Sequence, residues 1–377
     1  MAEKKKNRFM HLKSLDHFLI SIVVILALFG LLIIYSATKS SESGMRQMIV
    51  QSAALVLGIL LMLIISKIDY DLYPAFVKII YIASIIILLF VLVVGEGKEE
   101  TGANSWIRLG GIGIQPSEFV KLAFAITFSV HLDTVKENIN KFSVLMKLFL
   151  HFAFLAVLIL LQNDTGTMLV FTFMFFVMLF LGGLSIKYII TALLGVAAVV
   201  PIAWFGFMQS YQKERILVFF NPERDAAGYG YQVSQSKIAI GSGEFTGRGY
   251  LSGPQNQLGL LPEKDTDFIF GAIGEEFGFL GALFIVLLLI ILIIRCFYIS
   301  SKSKDSRGMF LCAGIAAMFM FHVVENIFMC IGLLPVTGIP LPFLSYGGSS
   351  LMTNFMAIGL VQSVWSRRRQ INFEITY

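Results

Sequence analysis

Long apolar runs constrain what this chain can fold into more than any other feature. Stretches of 18 or more apolar residues recur along its 377 residues, of which 57% are hydrophobic and only 14% charged. A soluble domain carries about 25% charged residues, and an apolar run of that length indicates a transmembrane helix. The sequence therefore predicts an all-α polytopic membrane protein, with Phe18–Ile34 as an uncleaved first span rather than a signal peptide.

Spanning the bilayer takes about 20 apolar residues per helix. Ten segments qualify, so we expect ten transmembrane helices at 17–36, 46–66, 76–95, 117–131, 143–161, 165–183, 187–207, 267–295, 309–332 and 348–366. A large loop, about 209–266, separates the seventh and eighth helices, and its aromatic and apolar residues argue against a disordered linker. We treat residues 1–377 as a single integral membrane domain.

Lysine and arginine predict the orientation. With the N-terminus inside, sixteen basic residues fall on the cytoplasmic side, among them Lys4 to Lys13 and Arg367 to Arg369. The short outer loops hold only Lys39, Arg46, Lys98 and Arg108. Because cytoplasmic loops carry the basic excess, both termini are predicted to be cytoplasmic and the loop 209–266 extracytoplasmic. The pI near 9.0 then reflects topology, and no nucleic-acid partner is expected.

The stretch LPEKDTDFIFGAIGEEFGFLG, residues 261–281, places charge at the start of the eighth span. Thr266 is a good N-cap, which puts Asp267 in the first helical turn. Asp267 shares one helical stripe with Gly271, Gly274, Gly278 and Gly281. A glycine stripe allows close approach by a helix or a ligand, so Asp267 is predicted to head a smooth groove.

Simpler interpretations of this stretch stay open. Asp267 could only cap the helix and complement its dipole, with Glu263 and Asp265 as solvated loop charges. Glu275 and Glu276 lie off the glycine stripe and are expected to pack or pair. However, segment 267–295 would be about 43 Å long at 1.5 Å per residue, longer than the bilayer core. Its first turns should therefore project above the bilayer or line a wet cavity, where ionisable residues suggest function.

The fourth span begins QPSEFVK, and Glu118 and Lys121 can pair across one helical turn. The two side chains either form a buried structural ion pair, or Lys121 binds an anionic ligand such as a phosphate while Glu118 orients it. Upstream, Trp106 is a candidate interface anchor, and Arg108 could contact a phosphate or lipid headgroup.

Two further outer-side features suggest ligand binding. Asp164 lies in the turn before the sixth span, and together with Asp267 it could bind a divalent cation, Mg or Mn, with a pyrophosphate. Turn chemistry alone also explains it. Ser345 and Ser349 flank two glycines at the start of the tenth span. Backbone N–H groups and hydroxyls at a helix start can bind an anion, although such a serine- and glycine-rich helix start more often has only a structural role. His322, Glu325 and Asn326 indicate hydrogen bonding between helices.

Motif absences narrow the function. No zinc motif, P-loop, dinucleotide fingerprint or nucleophile elbow occurs in the context it needs, which argues against ATP-driven transport and cofactor redox chemistry. Two classes remain. One is an enzyme that acts on a lipid-linked anionic substrate at the outer leaflet, and the other is a transporter or flippase for such a lipid.

Several long motifs resemble one family. SWIRLGGIGIQPSEFVKLA, QNDTGT, YQVSQSKIAIGSG, QLGLLPEKDTDFIF with GEEFG, and GIPLPFLSYGGSSL occur in this order over almost the whole chain. They are similar to the signatures of the SEDS proteins (shape, elongation, division and sporulation), which include the RodA, FtsW and sporulation-type cell-wall polymerases. SKIAIGSG and GIPLPFLSYGGSS are more like RodA than FtsW.

The resemblance implies ten membrane helices and a peptidoglycan glycosyltransferase that polymerises lipid II for cell-wall elongation and rod shape. It implies a class B penicillin-binding protein as the partner, with other elongation-complex proteins and membrane lipid around it. The family's essential TDF aspartate falls on Asp267. Its PSEFxK, SWI and Gly-Thr turn residues fall on Glu118, Lys121, Trp106 and Asp164. Asn163 and Thr165 depart from the family's usual Pro and apolar residue.

On this resemblance Asp267 is the expected general base that deprotonates the acceptor sugar hydroxyl. Lys121, Arg108 or a cation would stabilise the departing pyrophosphate, and direct displacement would invert the anomeric centre. A lipid II flippase, an FtsW-type division or sporulation polymerase, and a scaffold that recruits a synthase are the alternatives.

Overall fold

The computed structural model describes residues 14–39, 41–97, 103–109, 112–206, 208, 210–225 and 228–368. Within them the regular elements are helices, apart from two short antiparallel strands, Ile107–Leu109 and Ile112–Ile114. The basic residues Lys4 to Lys13, Lys98 and Arg369, which support the predicted orientation, lie outside the described residues.

The helices follow the apolar runs, and each of the ten predicted segments contains one. They are α1 His17–Thr38, α2 Gly44–Lys67, α3 Tyr73–Val94, α4 Pro116–Val135, α5 Phe142–Leu161, α6 Thr165–Leu181 and α7 Ile186–Gly206, followed by α11 Ile269–Ser301, α12 Ser306–Cys330 and α13 Gly348–Ser366. Strands β1 Ile107–Leu109 and β2 Ile112–Ile114 precede α4. Between α7 and α11 lie three more helices, α8 Ser210–Phe220, α9 Tyr229–Ser242 and α10 Pro254–Gln257.

Six of these helices are long and apolar enough to cross a membrane by length and composition: α1, α2, α3 with the 3₁₀ turn before it, α5, α11 and α12. Helix α6 is apolar but shorter. Large apolar side chains on these helices, such as Ile79, Val93 and Phe154, face outward. A surface of this kind suits lipid rather than water, so the protein is a polytopic membrane protein.

Small residues bring α2 and α13 into close contact. A side chain added at Gly58 would lie 2.7 Å from the ring of Phe355, and one at Gly359 would lie 2.8 Å from the carbonyl oxygen of Met62. Helices in a bilayer associate through such close packing, because lipid offers no hydrophobic drive between them. The loop that leads into α13 lies against α1, where Gly30 contacts the backbone of Leu344.

Helix α11 is kinked at Gly278, whose φ of 63° and ψ of −163° are not helical. Positive φ at this point favours glycine. Before the kink, residues 269–276 are all buried within the protein, whereas beyond it Leu280, Phe284 and Ile294 are exposed on the apolar span. Helix α11 therefore consists of two parts: a buried N-terminal part before Gly278, and a longer part after it that faces lipid.

Of the two occupants predicted for the glycine stripe, a helix or a ligand, the structure has a helix, because α9 packs along it. A side chain added at Gly271 would meet Ser236 Oγ at 2.9 Å, and one at Gly274 would meet Ile240 Cγ1 at 2.9 Å. The kink at Gly278 also breaks the stripe. The glycines therefore admit a helix of the loop 209–266 and not a ligand.

Glu275 and Glu276 are both buried, and they hold the loop rather than line a wet cavity. The Glu275 carboxylate accepts hydrogen bonds from the backbone N–H groups of Gln255 (2.7 Å) and Asn256 (2.9 Å) at the start of α10. Asn256 Nδ2 donates to Glu276 Oε1 at 2.7 Å, and Ser36 Oγ also donates to that oxygen. The prediction that these two side chains pack or pair is confirmed.

Candidate active site

A cavity of about 320 Å³ lies where the segment before α11 meets the loop before α13. Its lining combines carboxylates, amides, hydroxyls and a guanidinium drawn from five separate parts of the chain: Ala103, Ser105, Trp106, Gln115, Asn163, Asp164, Thr165, Arg215, Tyr229, Gln232, Glu263, Thr266, Asp267, Val336, Thr337, Gly338, Pro340, Tyr346, Gly347 and Ser350. Convergence of polar groups from distant segments on one concave site is typical of a ligand-binding site.

Asp267 lies in this cavity, two residues before α11 begins at Ile269. The prediction that Thr266 caps the helix and Asp267 occupies its first turn is wrong. Phe268 is the N-cap residue and makes no side-chain capping bond, while Thr266 Oγ1 donates to Glu263 Oε2 at 2.8 Å. The Asp267 side chain is therefore released from helix capping and faces the cavity.

Helix α12 holds the backbone of Asp267 in place. Asn326 Nδ2 donates to the Asp267 carbonyl oxygen at 2.7 Å, and the Cys330 thiol approaches the same oxygen at 3.6 Å. The Asp267 carboxylate lies beside Gly338, where an added Cβ would be 3.3 Å from Oδ2. Gly338 has a φ of +78° and no side chain, so the backbone can approach the carboxylate closely.

Burial is the main cause of a raised pKa for Asp267, about 7, because desolvation disfavours the charged form. The charges of Glu263 and Asp265 raise the pKa further, whereas the nearby Arg215 guanidinium lowers it. A carboxyl with a pKa near neutrality can take up a proton at physiological pH, as a general base must.

Arg215 is held against an aromatic ring on the cavity wall. Its Nη2 donates to the Tyr229 hydroxyl at 2.9 Å, and its guanidinium carbon lies 4.7 Å from the centre of that ring. This arrangement joins α8 to α9 and fixes a permanent positive charge near Asp267. A guanidinium in this position can stabilise negative charge that develops on a phosphate.

Asp164 lines the same cavity and also caps α6. Its Oδ1 accepts from the backbone N–H of Thr167 at 3.0 Å, and its Oδ2 accepts from Gln115 Nε2 at 3.0 Å. The turn chemistry expected for this residue is confirmed, and it coexists with a place on the cavity wall. Gln115 precedes α4, so its bond to Asp164 connects two outer segments of the site.

Trp106 and Arg108 lie on the hairpin side of the site, and only Trp106 lines the cavity. The Trp106 backbone pairs with Glu96, and its indole ring lies over Gly113, where an added Cβ would be 3.0 Å away. Arg108 is exposed on β1, opposite Gly113 in the register.

Lys121 and Glu118 do not line the cavity. Both are buried, with Lys121 Nζ 2.6 Å from Glu118 Oε1 and 2.9 Å from His322 Nε2. His322 Nδ1 lies 3.1 Å from the carbonyl oxygen of Pro340, which does line the cavity. The ion-pair interpretation therefore describes this geometry, and the pair connects α4 through α12 to the cavity floor.

Ser345 and Ser349 also lie outside the cavity lining, and their hydroxyls bond protein groups. Ser345 Oγ donates to the Thr266 carbonyl at 2.7 Å and accepts from the Leu341 backbone N–H at 2.8 Å. Ser349 Oγ donates to the Gly113 carbonyl at 3.3 Å. The structure thus brings Asp267, Asp164 and Trp106 together and places the two serines behind them.

The profile of the cell cycle protein family that comprises FtsW, RodA and SpoVE matches residues 16–370. The chain belongs to this family. It is 35% identical to the peptidoglycan glycosyltransferase MrdB of Escherichia coli K12. The alignment extends over 370 residues and covers 97% of this chain and 98% of MrdB. It is also 35% identical over 362 residues to stage V sporulation protein E of Bacillus subtilis, covering 93% and 97%.

Solved structures of the FtsW/RodA/SpoVE family share the fold. A chain of a peptidoglycan synthase complex, described as coordinating polymerisation and crosslinking, superposes with a TM-score of 0.81 at 29% identity, covering 94% of this chain and 99% of that one. The rod shape determining protein RodA of Thermus thermophilus superposes with a TM-score of 0.70 at 26% identity, covering 94% and 98%.

Several residues that line the cavity are not predicted by the sequence motifs, and Arg215, Tyr229 and Glu263 are the charged and aromatic ones closest to the proposed chemistry. A solvated loop charge is one interpretation of Glu263 from the sequence, but Glu263 lines the cavity and its charge raises the pKa of Asp267. Arg215 and Tyr229 lie in the long loop, fourteen residues apart, and only their stacking reveals them. The aromatic content of the loop was the available signal, because aromatic residues in a loop indicate that it folds against something.

The cavity offers oxygen donors suited to a hard cation. Asp164 and Asp267 line the same cavity, but no group of three or more His, Cys, Asp or Glu side chains that could hold a metal ion occurs in the described part of the chain. Mg²⁺ is usually bound through one or two carboxylates plus substrate phosphates. The donor set fits that mode of binding and does not form an all-protein cage.

Proposed function

We propose that this protein is a peptidoglycan glycosyltransferase that polymerises lipid II into glycan strands. The observation that carries the proposal is the position of Asp267, a partly buried carboxyl with a pKa of about 7 in the polar cavity of a FtsW/RodA/SpoVE family member. Its relative MrdB is a peptidoglycan glycosyltransferase at 35% identity over nearly the whole chain. The greater likeness of two motifs to RodA supports a role in elongation and rod shape.

The proposed topology has ten membrane crossings with both termini in the cytoplasm. Helices coincide with all ten apolar segments, and sixteen of the 29 basic residues fall on the predicted cytoplasmic side. The cavity and the loop 209–266 are then extracytoplasmic, at the outer face of the bacterial cytoplasmic membrane. Lipid-linked sugars that reach the outer leaflet would meet Asp267 there.

In the proposed reaction, Asp267 removes the proton from the acceptor sugar hydroxyl. The hydroxyl oxygen then forms a bond to the anomeric carbon of the donor sugar, while the bond from that carbon to the pyrophosphate oxygen breaks. The electron pair of the broken bond leaves on the pyrophosphate, whose charge the Arg215 guanidinium stabilises. One displacement without a covalent intermediate inverts the anomeric configuration.

A divalent cation is a further part of the proposal. Asp164 and Asp267 would hold it together with substrate oxygens, and when bound it would neutralise pyrophosphate charge. Binding of Mn²⁺ can be followed directly by electron paramagnetic resonance in the absence of substrate. We expect Mn²⁺ binding by the intact protein and weaker binding by an Asp164→Asn variant, whereas equal binding by both would remove Asp164 from the site.

We propose a class B penicillin-binding protein as the partner that cross-links the new glycan. The similar solved structure belongs to a peptidoglycan synthase complex that coordinates polymerisation with crosslinking, which supports a paired arrangement. The partner would bind in the membrane, so co-purification from detergent extracts tests the pairing.

The test of the function is glycan synthesis by the purified full-length protein, alone and with its partner, supplied with labelled lipid II. We expect long glycan strands with an inverted anomeric linkage. Liposomes that contain the protein and fluorescent lipid II provide the contrasting measurement. If no glycan forms but lipid II crosses the liposome bilayer, the flippase function replaces this proposal.

A further inference from the structure

A second cavity, of about 240 Å³, adjoins the first and is formed largely by the loop 209–266. Arg215, Tyr229 and Val336 line both cavities, so the stacked pair of Arg215 and Tyr229 stands between them. The other lining residues of the second cavity are Val218, Phe219, Pro222, Val233, Lys237, Gly332, Leu334 and Pro335.

The two cavities differ in charge. Three carboxylates line the first cavity, from Asp164, Glu263 and Asp267. The residues that line the second include two cations, Arg215 and Lys237, and no acidic side chain. Most of the remaining lining is apolar. A cavity that combines cations with hydrocarbon walls suits a ligand with an anionic head and an apolar chain.

No residue that the structure describes neutralises the charge of Lys237. It projects from α9, is exposed, and makes no hydrogen bond or ion pair with any residue that the structure describes. Its aliphatic chain lies over Gly332, where an added Cβ would be 3.2 Å from Cδ and 3.7 Å from Nζ. Gly332 has a φ of +77°, so this close approach occurs at a position that favours glycine.

Arg215, in contrast, is held in one orientation. Its Nη2 donates a hydrogen bond to the Tyr229 hydroxyl, and its guanidinium stacks on the Tyr229 ring. Because Tyr229 belongs to α9, that helix fixes the position of the guanidinium. Lys237 belongs to the same helix, two turns further along. Helix α9 therefore holds one cation, Arg215, at the boundary with the first cavity, and carries the other, Lys237, on the wall of the second cavity alone.

We propose that the second cavity binds the pyrophosphate and the first isoprenyl units of the donor, the lipid-linked sugar that is attacked. Lys237 and Arg215 contact the pyrophosphate, and Val218, Phe219 and Leu334 contact the isoprenyl chain. The donor sugar passes Tyr229 into the first cavity, where Asp267 activates the acceptor. This inference rests on the proposed function, because it assigns one of that reaction's two substrates to a site.

The division of charge between the cavities agrees with the bond changes. The acceptor hydroxyl loses its proton to Asp267 in the carboxylate-lined cavity. As the new bond to the anomeric carbon forms, the pyrophosphate oxygen takes the electron pair of the bond that breaks. That negative charge develops beside Lys237 and beside Arg215 at the boundary of the two cavities, so the two cations offset the repulsion from the three carboxylates.

Farnesyl pyrophosphate, a short isoprenyl pyrophosphate, is the probe for this cavity. Its binding to the purified full-length protein is measured by calorimetry, with inorganic pyrophosphate and farnesol as the two halves of the ligand. We expect Lys237→Gln to weaken farnesyl pyrophosphate binding about tenfold or more, because a charge-assisted hydrogen bond is lost. Lys237→Arg keeps the charge and should bind within a few-fold of the native protein.

Lys39→Gln is the matched control. Lys39 is exposed on the same predicted side and lines neither cavity, so this change of charge should leave binding unaltered. Thermal unfolding of each variant checks the fold. Equal binding by the native protein and Lys237→Gln would overturn the assignment, as would binding of inorganic pyrophosphate as tight as that of the farnesyl compound.

Failure of the proposed function would look different. Asp267→Asn should bind farnesyl pyrophosphate normally while its glycan synthesis falls about 10²- to 10⁴-fold, because Asp267 lines only the other cavity. If the native protein makes no glycan yet binds the probe through Lys237, the polymerase function fails and the isoprenyl pyrophosphate cavity stands. If it makes glycan and Lys237→Gln binds normally, the polymerase stands and the cavity assignment fails.

Discussion

Asn326 donates from its side-chain Nδ2 to the backbone carbonyl of Asp267 at 2.7 Å, and also to that of Ile339 at 2.8 Å. One buried amide on α12 therefore holds both the segment that carries Asp267 and the segment that contains Gly338. Because Gly338 lies against the Asp267 carboxylate, this amide sets the relation between the carboxylate and the cavity wall.

Replacing Asn326 with Leu should impair catalysis as well as stability. Two buried carbonyl groups lose their donor, which costs about 1–3 kcal/mol in the free energy of unfolding for each group left unsatisfied. Glycan synthesis should fall at temperatures where the variant is still folded, because Asp267 is no longer held in position.

Ser363→Ala provides the comparison for Asn326. Ser363 Oγ donates to the Ile68 carbonyl at 2.6 Å, in a contact with no part in the cavity. Its removal should lower the melting temperature and leave the turnover number of the folded protein unchanged. An Asn326→Leu variant that polymerises at the native rate would contradict the positioning role.

The rate of glycan synthesis should depend on the ionisation of Asp267. Since a general base must be deprotonated, the rate should rise with pH up to about 7, the pKa of Asp267, and level off above it. The charge of Glu263 raises this pKa, so Glu263→Gln should lower it and move the rising limb to lower pH. The measurement is the initial rate across a pH series at saturating lipid II.

Glu42→Gln controls for the loss of one negative charge, since Glu42 is exposed and outside the cavity. It should leave the pH profile in place. If Glu263→Gln moves the limb to higher pH, the electrostatic account of Asp267 is incorrect.

The loss of either Lys121 or Glu118 alone should lower stability more than the loss of both, because the two side chains form a buried ion pair. Removing one partner of a buried pair leaves an uncompensated charge and costs about 3–5 kcal/mol. Lys121→Met should therefore lower the melting temperature strongly. The double variant Glu118→Gln/Lys121→Met should recover much of the loss, because no charge is then left buried alone. Additive destabilisation in the double variant would show that the two side chains do not act as a pair.

Packing of α9 on α11 should be sensitive to one glycine and insensitive to its neighbour. A Cβ at Gly243 would overlap the carbonyl oxygen of Gly274, a backbone atom that cannot move aside, whereas one at Gly241 meets nothing within 4 Å. We expect Gly243→Ala to destabilise the protein and reduce activity. Gly241→Ala should be neutral or stabilising by up to about 1 kcal/mol, since Ala favours the helix. Equal melting temperatures for the two variants would contradict the close contact of these elements.

Local pattern predicted the helices well, because an apolar run must form a helix if it is to lie in lipid. Sequence motifs and the predicted orientation also place Asp267, Asp164 and Trp106 on one side of the membrane, and all three line the cavity. The contacts that complete the site were beyond local pattern. Lys121 meets His322, 201 residues away, and the glycine stripe of α11 is covered by α9. The spacing of the glycines identifies a helix face that another group can approach closely, but it does not show which part of the protein or which ligand packs there.

The most direct test compares native protein with Asp267→Asn in glycan synthesis from lipid II. A general base contributes about 10²- to 10⁴-fold to rate, and we predict a loss of that size in the variant. Folding is checked by thermal unfolding. Because the pKa of Asp267 in the folded protein lies above the ordinary 3.8, its ionisation costs stability as pH rises toward 7. The variant should therefore be at least as stable as the native protein at pH 8. Folded Asp267→Asn protein that polymerises lipid II at the native rate would contradict the central claim.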